Sequence, residues 1–156
     1  MSRSDLPQIT INYSPKLDLR IQCVSAERYR HVGHVEHRFE VQCRLRHPSG
    51  TFEYFVADLC FDVDSFSRFA EELRGIQQGT ADRAALRNVG DMLVLSVAGS
   101  PRHFQVELKI REYMAPHVTT LTTTLDVDYD LFVNKLAAEM GRFASDLRQV
   151  QPDEVG

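Results

Sequence analysis

The chain has 156 residues, 43% of them hydrophobic and 26% charged, with a formal net charge of −4; these values suit a soluble globular protein large enough for one domain with its own core. No apolar run approaches the length of a bilayer-spanning helix, and the opening Met1-Ser2-Arg3-Ser4-Asp5 has no apolar segment behind it, so neither a membrane span nor a signal peptide is expected. Residues 1–50 carry eight Lys/Arg against five Asp/Glu while the remainder is acidic, a balance too weak for a nucleic-acid footprint and better suited to steering a protein partner.

In chain order, Ile9, Ile11 and Tyr13 alternate with polar residues, and so do Leu17, Leu19, Ile21 and Cys23 with Asp18, Arg20 and Gln22. In 38–46, Phe39, Val41, Cys43 and Leu45 share one side, and Arg38, Glu40, Gln42, Arg44 and Arg46 the other. Strict period two predicts antiparallel strands with one solvated face. His47-Pro48-Ser49-Gly50 is a turn into a strand over 51–61, whose two sides are both apolar. That pattern predicts a central or doubly covered strand. Phe66, Phe69, Ala70 and Leu73 then have the spacing of one helical face, with Asp64 as expected N-cap and Gly75 and Gly79 as stops. Residues 75–90 link two halves, and Ala84-Ala85-Leu86 reads as a short helical turn or a strand.

The second half repeats the plan. Met92 to Ala98 is apolar on both sides, which predicts a central strand. Gly99-Ser100-Pro101 turns into 102–112, where Phe104, Val106, Leu108 and Ile110 alternate with Gln105, Glu107 and Lys109. Met114-Ala115-Pro116 turns into a Thr-rich strand, Val118 to Leu125. Val133, Leu136, Met140, Phe143 and Leu147 mark a second helix, with Asp128 as expected N-cap. Asp62-Val63-Asp64 and Asp126-Val127-Asp128 thus each open a helix after alternating strands. The predicted architecture is α+β and two-layered: a curved antiparallel sheet of about seven strands with both helices packed on one face. It forms a single domain over 1–156, with halves 7–78 and 84–148 and frayed ends at 1–6 and 149–156.

No residue cluster prescribes a reaction. The three cysteines form no CxxC pair, and Cys23 and Cys43 fall on apolar faces, as buried free thiols of a reducing cytoplasm do. His31, His34 and His37 are spaced by three, but Gly33 interrupts them and a strand follows, so they read as surface or strand-end histidines. Asp62, Asp64, Asp126, Asp128 and Asp130 lack the central Gly and closing Glu of a calcium loop. No metal or cofactor is expected. The strongest surface feature is the row Arg38, Arg44 and Arg46, joined on what reads as a neighbouring strand by His103, Gln105, Glu107, Lys109 and Arg111. Arg38, Arg44, Arg46, Glu107, Lys109 and Arg111 are therefore the candidate partner-binding residues. A plain solubility surface has the same composition.

Three further stretches bear on the family. They are Leu59-Cys60-Phe61 followed by Phe66-Ser67-Arg68-Phe69-Ala70-Glu71-Glu72-Leu73; then Gly90-Asp91-Met92-Leu93-Val94-Leu95 with Phe104-Gln105-Val106-Glu107-Leu108; and Leu125-Asp126-Val127-Asp128-Tyr129 ahead of Leu136. In this order, over roughly residues 36–147, the chain resembles the small bacterial immunity proteins of the WapI type. The resemblance implies a cytoplasmic, non-enzymatic antidote that binds and blocks a cognate toxin domain, with no nucleic acid or membrane as partner and a homodimer left open. The competing reading is a binder of small apolar ligands, or an enzyme, with a cavity between sheet and C-terminal helix lined by Phe55, Phe61, Phe104, Phe132 and Phe143.

Overall fold

Strands β1 (Gln8–Ser14), β2 (Leu17–Tyr29), β3 (Val35–His47) and β4 (Gly50–Cys60) pair antiparallel in chain order, and α1 (Val63–Gln78) follows. Strands β5 (Arg83–Arg87), β6 (Leu93–Ser100), β7 (His103–Met114) and β8 (His117–Leu125) do the same in a second sheet. A π-helical segment, Asp130–Lys135, leads into α2 (Leu136–Gln149), and β9 (Asp153–Val155) returns to pair parallel with Glu27–Tyr29 of β2. This computed structural model describes the chain except residues 1, 3, 4, 101, 115 and 126 and the side chains of residues 103 and 114. The expectations placed on Asp126, Pro101, Ala115 and the His103 side chain lie outside the described residues.

The architecture is α+β with two helices and antiparallel strands, but among the described residues the strands number nine and divide between two sheets. A single curved sheet of seven was the wrong expectation. The physical reason is the crossover through α1: β5 pairs with β6 and not with β4, so the second half builds its own sheet. Both sheets face a common interior. Ile11, Leu19, Ile21, Phe39 and Val41 come from the first, Leu86, Leu95, Val106 and Leu108 from the second, and Phe66, Leu73, Phe132, Met140 and Phe143 from the helical segments. All of these are at most 3% exposed, so the interior is filled by side chains from every layer.

Local chemistry explains the boundaries. Asp62, not Asp64, caps α1: its Oδ1 accepts the Asp64 N–H at 3.2 Å, and Asp64 sits inside the first turn. Gly79 ends the helix in the left-handed region (φ 74°), whereas Gly75 lies within it. There the returning chain comes close, and a Cβ on Gly75 would meet Ala81 Cβ at 3.0 Å. Asp128 Oδ1 accepts the Leu131 N–H at 3.0 Å, as an N-cap does. The π-helical turn adds a residue to the helical repeat, and Phe132 and Val133 as well as Leu136 and Ala137 are all buried around it.

One strand expectation changes, and the central place expected for β6 holds. β4 is an edge strand, paired with β3 alone among the described residues, and the bulge between its pairings at Val56 and Leu59 switches the core side of the strand from Phe52, Tyr54 and Val56 to Leu59, leaving Phe55 outside. β6 is central, and Val94 on its outer side is 7% exposed. Within the segment 149–156 expected to fray, Asp153–Val155 pairs with β2.

Candidate functional site: the outer face of the first sheet

Side chains one residue out of phase with the core emerge on the outer face of the first sheet. The register aligns them in cross-strand rows. Thr10, Arg20, Gln42 and Phe55 form one row, and Asp18, Arg44 and Glu53 the next. A hollow of about 470 Å³, open to solvent, lies over Thr10, Asp18, Arg20, Gln42, Arg44 and Phe55.

Charges in this face are mostly paired. Arg44 Nε donates to Glu53 Oε1 at 2.9 Å, with Asp18 opposite on the other side. Arg46 Nη1 donates to the Pro15 carbonyl at 3.2 Å. Arg38 Nη1 donates to Asp58 Oδ2 at 2.9 Å, and its Nη2 lies 3.5 Å from Glu36 Oε1. Arg20 differs. It is half-buried, between Thr10 and Gln42, and makes neither an ion pair nor a side-chain hydrogen bond among the described residues. Phe55 lies in the same row on the far side of Gln42, with 56% of its surface exposed. An aromatic ring and a guanidinium on a rigid sheet are the side chains that anchor protein interfaces.

The six expected partner-binding residues do not share one surface. Arg38, Arg44 and Arg46 lie on β3 in the first sheet, whereas Glu107, Lys109 and Arg111 lie on β7 in the second. Strands β3 and β7 are not neighbours. Glu107 stands between Ser96 and Thr124, and Lys109 between Val94 and Thr122. Arg111 Nη1 donates to the Tyr113 hydroxyl at 3.4 Å. The adjacency failed because alternation assigns faces but not sheets. Arg20 and Phe55 were missed as site residues because what marks them is their alignment across β2, β3 and β4.

The remaining polar groups have structural roles. Burial pushes the Cys23 thiol up to about 11 and the Cys43 thiol up to about 12, and burial with the Glu36 hydrogen bond raises Cys60 as well. Thiols held so far above neutrality are poor nucleophiles. Tyr13 donates to Glu139 and lies under Lys135, whose Nζ is 5.1 Å from the ring centroid; burial and the carboxylate together raise the phenol. His31 and His34 are exposed between β2 and β3, but His37 points inward and is 8% exposed, against the surface reading. Among the described residues no three His, Cys, Asp or Glu side chains gather as metal ligands.

His37 provides a pH test. Neither ring nitrogen has a well-formed hydrogen bond, and although the Leu147 carbonyl favours the charged ring, burial outweighs it and lowers the pKa. The unfolded chain therefore takes up this proton first. The contribution to stability is complete above the unfolded value of about 6.5 and is lost as pH falls below it toward the folded value. Melting temperatures from pH 7.5 to 5 should fall more steeply for the wild type than for His37→Gln. Parallel curves would mean that His37 does not titrate in this way.

A protein-family model, Immunity protein WapI-like family, matches residues 11–150 of the chain. No curated protein sequence matches it. Among solved structures, the one titled "Crystal structures of trypanosoma bruciei MRP1/MRP2" is similar at 12% identity and a TM-score of 0.43, over 94% of this chain and 86% of that one.

Proposed function

The chain belongs to the WapI-like immunity protein family, and from that premise we propose that it is a bacterial cytoplasmic antidote that binds and blocks a cognate toxin domain and carries out no reaction itself. The observation that carries the docking assignment is the hollow on the first sheet, where exposed Phe55 and Arg20, unpaired among the described residues, stand near Arg44 and Arg46, both held by partners within the chain. Phe55 supplies an apolar anchor. Arg20 supplies a guanidinium whose salt bridge is left for a partner carboxylate. Arg44, held by Glu53, and Arg46, held by the Pro15 carbonyl, form the rim and act mainly on approach. Arg38 extends the same face. Glu107, Lys109 and Arg111 face solvent from the other sheet and serve as the comparison surface.

Other features favour binding over chemistry. The space between sheets and helices, where an apolar ligand would sit, is filled by Phe39, Phe66, Phe132 and Phe143. Of the cavity-lining residues expected for a ligand binder, Phe61 and Phe143 pack directly on Phe66, and Phe55 faces outward. Two acidic residues of the helices are engaged within the chain. Glu72 accepts the Ala85 N–H and Glu139 the Tyr13 hydroxyl.

The test takes as toxin candidate the C-terminal domain of any large protein encoded by the open reading frame adjacent to this one. Arg20→Glu with Phe55→Ala should weaken binding by about thirty-fold or more, the scale of losing interface anchors, and abolish protection on co-expression. Its melting temperature should stay within a few degrees of wild type, because both side chains lie on the solvated face. Lys109→Glu should leave affinity unchanged. Equal affinity of the double variant and the wild type would remove this face as the interface; a loss confined to Lys109→Glu would transfer the role to β7.

A further inference from the structure

The open edges of the two sheets differ in how they resist pairing with another strand. At β5, Glu72 Oε2 accepts the Ala85 N–H at 2.9 Å, and Arg83 and Arg87 stand at the strand ends. β4 carries Glu53, Asp58 and a bulge. β1 is short, and β9 continues along β2 beyond it. These are the usual protections of a sheet edge: charge, irregularity and cover. β8 has none of them. His117–Leu125 is nine residues long, contains no Lys, Arg, Asp, Glu, Pro or Gly, and among the described residues has β7 as its only sheet neighbour. Residues 117–120 are all exposed, with Val118 at 57%.

The β8 sequence also matches itself. Thr119-Thr120-Leu121-Thr122-Thr123 reads the same in either direction. An interface around a twofold axis must be self-complementary, each residue meeting its mirror position on the partner. Antiparallel pairing of two β8 strands about Leu121 places Leu121 against Leu121, Thr120 against Thr122 and Thr119 against Thr123. Faces are conserved in that register. Leu121 and Thr123 pair with Ile110 and Leu108 of β7 on the core side, whereas Thr120 and Thr122 pair with Arg111 and Lys109 on the solvent side. Half-buried Leu121 gains cover from its copy, and Thr–Thr pairs across antiparallel strands are favourable. No charge opposes a like charge, because the strand has none.

We propose that β8 is the interface of a homodimer, in which two copies join edge to edge about Leu121 and the second sheet continues through both as eight strands. A second copy fits this edge better than a charged foreign strand, because the edge offers such a strand no countercharge while its own sequence supplies a match at every position of 119–123. The inference is independent of toxin binding, which is assigned to the other sheet.

Sedimentation of the purified full chain reads the result. The wild-type mass should rise from that of one chain, 17.8 kDa, toward two chains as concentration increases from about 1 µM to about 1 mM, the range of a modest interface. Thr120→Lys with Thr122→Lys sets lysine against lysine and should hold the protein at one chain throughout, with little change in melting temperature because both positions are exposed. Thr120→Lys with Thr122→Glu sets lysine against glutamate across the same axis and should restore the dimer. A wild type that stays at one chain at about 1 mM overturns the proposal. So does a double-lysine variant that dimerises like the wild type, or a lysine–glutamate variant that fails to recover. A monomer whose β8 amides gain exchange protection only when the toxin domain is added would also overturn it, in favour of a toxin strand on this edge.

Discussion

Replacing Phe66 with alanine is expected to destabilise the fold by about 3–5 kcal/mol, the usual cost of removing a fully buried aromatic ring. Phe66 lies on α1 and is 0% exposed. Its ring centroid is 5.3 Å from Phe39 on β3, 4.9 Å from Phe61 before the helix and 4.9 Å from Phe143 on α2. One side chain thus joins the first sheet to both helices. Tilted and edge-on ring pairs add about 0.5–1.5 kcal/mol each beyond the area they bury, and three neighbours surround the site, so the cavity has little freedom to collapse. Urea unfolding measures the loss as a lower midpoint at unchanged slope. A cost below about 1.5 kcal/mol would mean that the neighbouring rings close over the gap and that the cluster does not tie the layers together.

Leu108→Ala comes next, at about 2–5 kcal/mol. Leu108 sits mid-strand on β7, between Leu95 and Thr123, and is 1% exposed. Val106 and Ile110 flank it on the same face. Lys109, one residue on, points to the opposite side, and Lys109→Ala should stay within about 0.5 kcal/mol as surface changes do. The pair of variants reads the register directly, since slipping β7 by one residue would exchange the two results. Similar midpoints for both would refute the placement of this strand.

Alternation made most strands legible in the sequence. In 38–46 and 104–110 every second residue is apolar, and both segments are strands with those residues buried, Phe104 only partly. The helical faces were equally clear from Phe66, Phe69 and Leu73 and from Met140, Phe143 and Leu147. Periodicity reports which side of a strand is buried, but not which sheet the strand joins. That is why the sheet divides unexpectedly after α1, and why Arg44 and Lys109 lie on separate faces. Two strands carry weak local signals: β5 has five residues with small Ala84 as an inward contact, and β9 is three residues paired with β2, distant in sequence. Asp62 and Asp64 suit the N-cap equally by residue type, and only backbone geometry separates them. The charges of the β3 row were readable. Arg20 and Phe55 became site residues only once the strands were in register.

The ring cluster around Phe66 also bears on synthesis. Phe39, Phe61 and Phe66 leave the ribosome well before Phe143, which arrives on the last helix. Until then the first sheet can form its hairpins, but its apolar side lacks one of the layers that close it. β9 must follow later still to extend the edge of β2. The nascent chain therefore passes through a stage with a nearly complete sheet and an uncovered greasy face, the kind of surface that chaperones hold and that aggregates when they do not. A ribosome that stops before α2 would release a sticky fragment, whereas a full-length chain closes over its own core.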